Sequence, residues 1–311
     1  MNENNLIKFL IPKMAQSNDV IVPPGDDCAV VKIDNTNVLM AVDQVISTVH
    51  YTPETDAKLI AEKLLKRNLS DIAAMGGVPT HAVMTIASNR SANEWYYQFY
   101  QAMANSCQKF NIAMVGGDLA KSTAKVSEND CIIEVCTITI YGKMTTENIL
   151  LRNNAQANDI IFVTGKLGNS FHSNHHLTFT PRLKEGLFLA ENNFSKCAMD
   201  ISDGLILDAK RIAVASNCVL QIDEKSLPLR KEASTQMALT DGEDYELIFT
   251  ISPHKITKFV TKWAQAFPHT ELTKIGKIIK EQPKKYPNKV VINENGAILS
   301  ENDNIGFIHR D

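Results

Sequence analysis

Residues 56–87 read DAKLIAEKLLKRNLSDIAAMGGVPTHAVMTIA, and the change of period inside this stretch decides the fold class. Leu59, Ile60, Leu64, Leu65, Leu69, Ile72 and Ala73 recur at helical spacing, which predicts a helix over 56–75 with one face in a core. Gly76-Gly77 ends that run, because glycine accepts the backbone turn that closes a helix. The apolar segment 81–87 that follows is too short for a helix and predicts a strand. Asp71 therefore falls in the last turns of the helix or just beyond it.

Outward from this unit, strand-like segments at 28–33, 37–42, 111–115 and 131–141 and a helix over 91–109 extend the alternation into an α/β pattern. The second helix opens with the capping-box spacing Ser91 to Glu94. A polar stretch at 143–158 predicts a boundary, so the chain divides into domains of 1–148 and 149–311. The second half again mixes strands and helices, with DIIFVTG at 159–165, CVLQID at 218–223 and YELIFTIS at 245–252. KVVINENGAIL at 289–299 carries Asn295-Gly296, the pair that favours a two-residue hairpin turn.

With 311 residues, 44% hydrophobic and 22% charged, the chain is long enough for two ordinary cores. Its net charge of −3 comes from interspersed acids and bases, with no basic stripe to follow a phosphodiester backbone, so nucleic acid is not an expected partner. The six cysteines form no CxxC pair and sit mostly in apolar runs, as buried free thiols do in a reducing compartment. The beginning MNENNLIKFLIPK has no signal-peptide pattern, and no run approaches 18 apolar residues. A cytoplasmic protein without a membrane span is the expectation.

The informative pattern is where the acids fall. Asp26 and Asp27 precede a strand, Asp43 closes VLMAV, Asp118 follows IAMV through Gly116-Gly117, Asp200 and Asp203 follow CAM, and Glu243 and Asp244 precede YELIFT. An isolated Asp at a strand end is usually a turn residue. So many of them in one chain point to one acidic site assembled from several loops. Converging carboxylates repel unless cations lie among them, and an all-oxygen set favours Mg²⁺ bridging to a polyphosphate. Competing nucleotide motifs are missing: there is no GxxxxGK[ST], no GxGxxG, no DFG to make a protein-kinase set with the HRD at 309–311, and no GxSxG hydrolase elbow.

GDDCAVV, NLSDIAAMGG, GGD, VTGKLGNS, PRLKEG, DISDGL and GEDYELIFT, in this order over residues 25–309, resemble the thiamine-monophosphate kinases. That family lies within the wider superfamily of aminoimidazole-ribonucleotide synthetase. The resemblance implies a two-domain α/β (α+β) fold of the aminoimidazole-ribonucleotide synthetase type. Its N-terminal domain would dimerise through its sheet, and its C-terminal α/β domain would complete the site. It implies an ATP- and Mg²⁺-dependent transfer to thiamine monophosphate by a homodimer.

By the same resemblance Asp27, Asp43, Asp71, Asp118, Asp200 and Asp203 are expected as ligands of several Mg²⁺ ions. Gly117, Asp118, Arg152 and Ser202 are expected as ATP contacts, and His50, Glu243 and Phe307 as substrate contacts. The acceptor is itself a phosphate with a second pKa of about 6, so no protein base and no covalent nucleophile is expected. The chain departs from the family pattern where Ala41-Val42 replace hydroxyls before Asp43, in RNNAQAND after Leu151, and in GGDLAKS. The other readings are a synthetase-like ATP-using enzyme of the same superfamily and a catalytically impaired nucleotide or thiamine-phosphate binding protein.

Overall fold

The structure, a computed structural model, describes residues 6, 9–14, 17–121, 133–280, 290–292 and 297–298. Its first half contains strands β1 (Val20–Val22), β2 (Ala29–Ile33), β3 (Thr36–Ile46), β4 (Val78–Ser88), β5 (Ala113–Lys121) and β6 (Glu134–Lys143). They form a six-stranded sheet in the order β1-β2-β3-β6-β4-β5. Only the β4–β5 pair is parallel, because a helix carries the chain across between these two strands. The helices are α1 (Ala57–Ala74) and α2 (Asn93–Lys109). Along β6, Cys136, Ile138 and Ile140 are buried while Val135, Thr137 and Thr139 stay half-exposed, so one face of the sheet makes a core with the helices.

The second half forms a seven-stranded sheet from β7 (Ile160–Thr164), β8 (Ala198–Asp200), β9 (Cys218–Ile222), β10 (Leu247–Ile251), β11 (Leu272–Lys280), β12 (Val290–Ile292) and β13 (Ala297–Ile298). Its order is β13-β12-β9-β11-β7-β10-β8. Its helices are α3 (His175–Thr178), α4 (Leu183–Glu191), α5 (Leu205–Ala215), α6 (Thr235–Thr240) and α7 (Ile256–Ala266). Alternation along β7 sends Ile161 and Val163 into one core with α5, and Phe162 into another with Phe259 and Trp263 of α7. A sheet covered on both faces explains why β10 is buried at every position.

Helix α1 fixes how the halves meet. Asp56 caps it by accepting the Lys58 amide at 2.8 Å. Its apolar stripe fills the first core, while Ala74 joins the core shared by Phe162 and Phe259. Gly186 of α4 lies so close to α1 that a Cβ there would overlap the Ala73 carbonyl. The helix is thus buried on two sides, and its charged residues Lys63, Lys66 and Arg67 are buried with it.

Several sequence expectations change here. Ser91 is not a cap: α2 begins at Asn93 after Ala92, with no side-chain cap bond. Asp43 and Asp118 do not end strands, since β3 runs on to Ile46 and β5 to Lys121. Cross-strand pairing prolongs both: Asp43 pairs with Ile138 and Asp118 with Thr85. The strands flanking Asn295-Gly296 pair antiparallel, as a hairpin requires. Five cysteines, Cys28, Cys107, Cys136, Cys197 and Cys218, are free and buried, and Cys131 lies outside the described residues. Among the described residues no helix is long and apolar enough to cross a membrane.

Candidate active site

Asp27 in the turn before β2, Asp71 near the end of α1 and Asp200 at the end of β8 each place a carboxylate oxygen within 4.8 Å of the others. The site therefore draws on both sheets and on the helix wedged between them. Ser70 donates its hydroxyl to Asp200 Oδ2 at 2.6 Å, which fastens β8 to α1 at this point. Burial, followed by the charges of Asp43, Asp200 and Asp27, pushes the Asp71 carboxyl well above the usual range. Burial and then Asp27 do the same to Asp200. Asp27 Oδ2 is buried without a hydrogen-bond partner among the described residues.

An orphaned oxygen and mutually repelling acids, with oxygen as the only donor, are the surroundings that a hard divalent cation satisfies. The residues present fit Mg²⁺.

Cations already flank this cluster. Arg152 reaches Asp27 Oδ1 through Nη2 at 2.5 Å, and its backbone N–H donates to Asp26 Oδ2 at 3.1 Å. Even so, burial and the Asp27 charge raise Asp26 to about 6. Arg67 Nε lies 3.1 Å from Asp43 Oδ2, and Asn68 Oδ1 accepts the Asp43 amide at 3.0 Å. The loop after β8 is organised from within α5: Ser202 and Asp203 both donate their amides to Asp208 Oδ2 at 3.0 Å. Arg211 then joins Asp208 and Asp203, each at 2.6 Å. Gly204 has φ +114° at this bend, and a side chain there would run into the Thr240 carbonyl.

A second group of polar residues lies one turn and more toward the start of α1. Lys63 is fully buried, and its Nζ donates to the His50 carbonyl at 2.6 Å. The same Nζ is 2.8 Å from His176 Nδ1 and 2.7 Å from Glu243 Oε1. Burial lowers Lys63 to about 8 against the pull of Glu243. Glu243 and Tyr245 hold φ values of 65° and 52°, left-handed backbone that is costly for such residues and common where a side chain must be aimed. Their neighbours in GEDYEL act as braces. Asp244 pairs with Arg230 at 2.7 Å, and Glu246 receives both prongs of Arg182 at 2.6 and 2.7 Å and the Thr164 hydroxyl at 2.6 Å.

Residues 25–144 match the AIR synthase related protein N-terminal domain, and residues 156–286 match the AIR synthase related protein C-terminal domain. The thiamine-monophosphate kinase of Buchnera aphidicola subsp. Schizaphis graminum is 32% identical over 287 residues, covering 83% of this chain and 85% of that one. The chain belongs to the thiamine-monophosphate kinase family. Among solved structures of the family, that of the thiamine-monophosphate kinase from Stenotrophomonas maltophilia K279a is 27% identical with a TM-score of 0.73, covering 95% of this chain and 98% of that one. AaThiL complexed with AMPPCP and TMP has a TM-score of 0.80 at 23% identity, covering 99% of this chain and 97% of that one, a likeness of fold.

For a member of this family, the expected site residues are unevenly gathered. Asp27, Asp71 and Asp200 meet, and His50 and Glu243 meet through Lys63. Asp43 and Asp203 stand beside arginines. Arg152 faces the acids of the GDD turn, and Ser202 sits in the loop that Asp208 holds. Gly117 and Asp118 are not brought to the cluster within this chain: four strand spacings, about 19 Å, separate β5 from β2, which Asp27 precedes. Asp118 is in register with the solvent-facing Thr85. Gly117 has a packing reason of its own, since a Cβ would overlap the Met84 carbonyl. Phe307 lies outside the described residues.

Sequence reasoning missed Lys63, Arg67 and Asp208. The available signal was Lys63, Arg67 and Asp71 recurring every four residues, one helix stripe of charge next to an apolar stripe.

Proposed function

We propose that this chain is an ATP-dependent kinase that phosphorylates thiamine monophosphate to thiamine diphosphate. The observation that carries this reading is the convergence of Asp27, Asp71 and Asp200 from both halves onto one helix, in a chain of this family. On this reading Asp27, Asp71 and Asp200 would hold Mg²⁺, Asp203 would join them once nucleotide is present, and Asp118, remote from the cluster within this chain, would do so only across the proposed dimer. When bound, the ion neutralises phosphate charge.

The chain's own residues do the rest. Arg152, beside Asp27, supplies a fixed positive charge to the triphosphate and Ser202 adds a contact, while Gly117 and Asp118 on β5 would reach the nucleotide only across the proposed dimer. Lys63 neutralises and aims Glu243, and with His50 and Phe307 it forms the acceptor end. An oxygen of the acceptor phosphate attacks the γ-phosphorus in line, the bond from the γ-phosphorus to the bridging oxygen breaks, and ADP leaves with that electron pair. No residue needs to take a proton, because the acceptor phosphate is mostly dianionic at neutral pH.

The division at residues 148 and 149 falls in the segment between the two matched domains, which supports placing the boundary there. A homodimer through the N-terminal sheet is supported by the bare face of that sheet, where Val42 is 62% and Val115 60% exposed. Light scattering should give twice 34.5 kDa. Cytoplasmic residence is the companion reading, from the free buried thiols.

The test is purified protein with ATP, Mg²⁺ and thiamine monophosphate, followed by chromatography. Thiamine diphosphate should accumulate in step with ADP, and its absence at saturating substrates would remove the reading.

A further inference from the structure

The stripe Lys63, Arg67 and Asp71 runs along α1 from the acceptor end to the carboxylate cluster, so Arg67 stands one helical turn from a proposed metal ligand. Its side chain is 8% exposed and its Nε is fixed on Asp43 Oδ2 at 3.1 Å. Asp43 is held a second time by Asn68, which accepts its amide, and Asn68 is itself anchored to the Leu64 carbonyl at 2.9 Å. These bonds fix the Asp43 backbone against α1 beside the buried Arg67 side chain. The carboxylates that converge are Asp27, Asp71 and Asp200, and Asp43 is not in that group. The residues before Asp43 offer no side-chain oxygen, since Ala41 and Val42 are both hydrocarbon.

We infer that Arg67 is the resident counter-charge of Asp43 and takes the place of a divalent ion there, so that in this chain Asp43 is a positioning residue and the metal set is Asp27, Asp71 and Asp200. A divalent ion on Asp43 would lie within about 5 Å of the guanidinium and share its carboxylate, a repulsive arrangement that water screens only in part, since the Asp43 side chain is 32% exposed and that of Arg67 is buried. One fixed positive charge does at this position what a bound cation would do, without depending on cation concentration. Arg67 Nη1 is buried with no hydrogen-bond partner among the described residues, so the guanidinium is placed for its charge and its one Asp43 bond, not as a fully engaged structural fork. The inference rests on the proposed metal reading, but its test uses neither nucleotide nor thiamine phosphate.

The measurement is Mn²⁺ binding to the full chain by electron paramagnetic resonance, with thermal melts to establish folding. Asp43→Asn should leave the number of bound Mn²⁺ ions unchanged and their affinity within about threefold, whereas Asp71→Asn should weaken it more than about tenfold. Arg67→Met, which keeps the apolar stem, should gain one weak Mn²⁺ per chain, and Arg67→Met with Asp43→Asn should lose that gain. Loss of an ion, or a tenfold weakening, in Asp43→Asn alone would overturn the inference while leaving the metal reading intact. So would a folded Arg67→Met protein that gains nothing. If Arg67→Met does not fold, the Asp43→Asn result decides alone. Wild-type protein that binds no Mn²⁺ would overturn both.

Discussion

Ser70 and Asp200, 130 residues apart, share a hydrogen bond of 2.6 Å. Ser70 is the residue before Asp71 on α1, so the same helical turn supplies one carboxylate and anchors another from the opposite sheet. The spacing of the cluster is thus tied to how the two halves of the molecule dock, and the helix between them sets it.

The three converging acids oppose folding when no cation is present, because each is partly desolvated beside like charges. Asp71→Asn should therefore raise the melting temperature of metal-free protein by about 2–4 °C while cancelling the further rise given by Mg²⁺. Product formation should fall at least about a hundredfold. Thermal melts with and without Mg²⁺ check this, and a lowered metal-free Tm would contradict it.

Lys63 has no solvent exposure, so its role separates cleanly from surface electrostatics. Lys63→Met should raise the KM for thiamine monophosphate by roughly tenfold, because Glu243 loses the partner that aims it, and leave the KM for ATP within about twofold. Lys63→Arg should recover part of the loss. Steady-state kinetics with each substrate varied would detect a parallel rise in both constants, which is the result expected of general destabilisation.

Two acids of GEDYEL should respond in opposite ways. Glu246 is 2% exposed and takes both prongs of Arg182, so Glu246→Ala should cost about 3 kcal/mol of stability by stranding that guanidinium. Glu243→Gln keeps a hydrogen-bond acceptor for Lys63 but removes its counter-charge, so it should cost less stability than Glu246→Ala and show mainly as weakened binding of thiamine monophosphate. Urea denaturation beside acceptor kinetics distinguishes them.

The charges on α1 show what the sequence made legible and what it did not. Its apolar stripe and the approximate place of Asp71 followed from local periodicity, which one helix face is enough to encode. Lys63 and Arg67 occupy positions that normally face water, and they are buried against partners from distant segments, His176 of α3 and Glu243 for Lys63 and Asp43 of β3 for Arg67. Asp43 and Asp118 looked like strand ends because Asp, Gly and their neighbours are poor strand formers, yet pairing with Ile138 and Thr85 carries both strands onward. Asp27 and Asp200 were legible as acids beside strands, whereas Asp71, on a helix, joined the expected ligands through the family resemblance, and which three of the six meet was not legible. Their exact partners depended on contacts between residues more than a hundred positions apart.

His176 gives a pH test with a definite sign. Burial and the adjacent Lys63 charge lower it to about 3, from about 6.5 in an unfolded chain. Between those values the unfolded chain binds a proton that the folded one excludes, so the contribution is intact above pH about 6.5 and is lost as pH falls toward 3. Asp208 and Asp244, raised to about 7 chiefly by burial, act in the reverse direction, so the comparison must be between proteins. The stability difference between wild type and His176→Gln should shift against wild type as pH drops from 7.5 to 5. A difference that stays constant over this range would contradict a buried, neutral His176.

The most direct measurement of the central claim follows the phosphorus itself. With ATP labelled in its γ-phosphate, Mg²⁺ and thiamine monophosphate, single-turnover reactions should deliver the label to the terminal phosphate of thiamine diphosphate, one for each ADP formed, with none retained on the protein. Label released as inorganic phosphate while thiamine monophosphate stays unchanged would contradict direct transfer and return the chain to the synthetase-like ATP users of its superfamily.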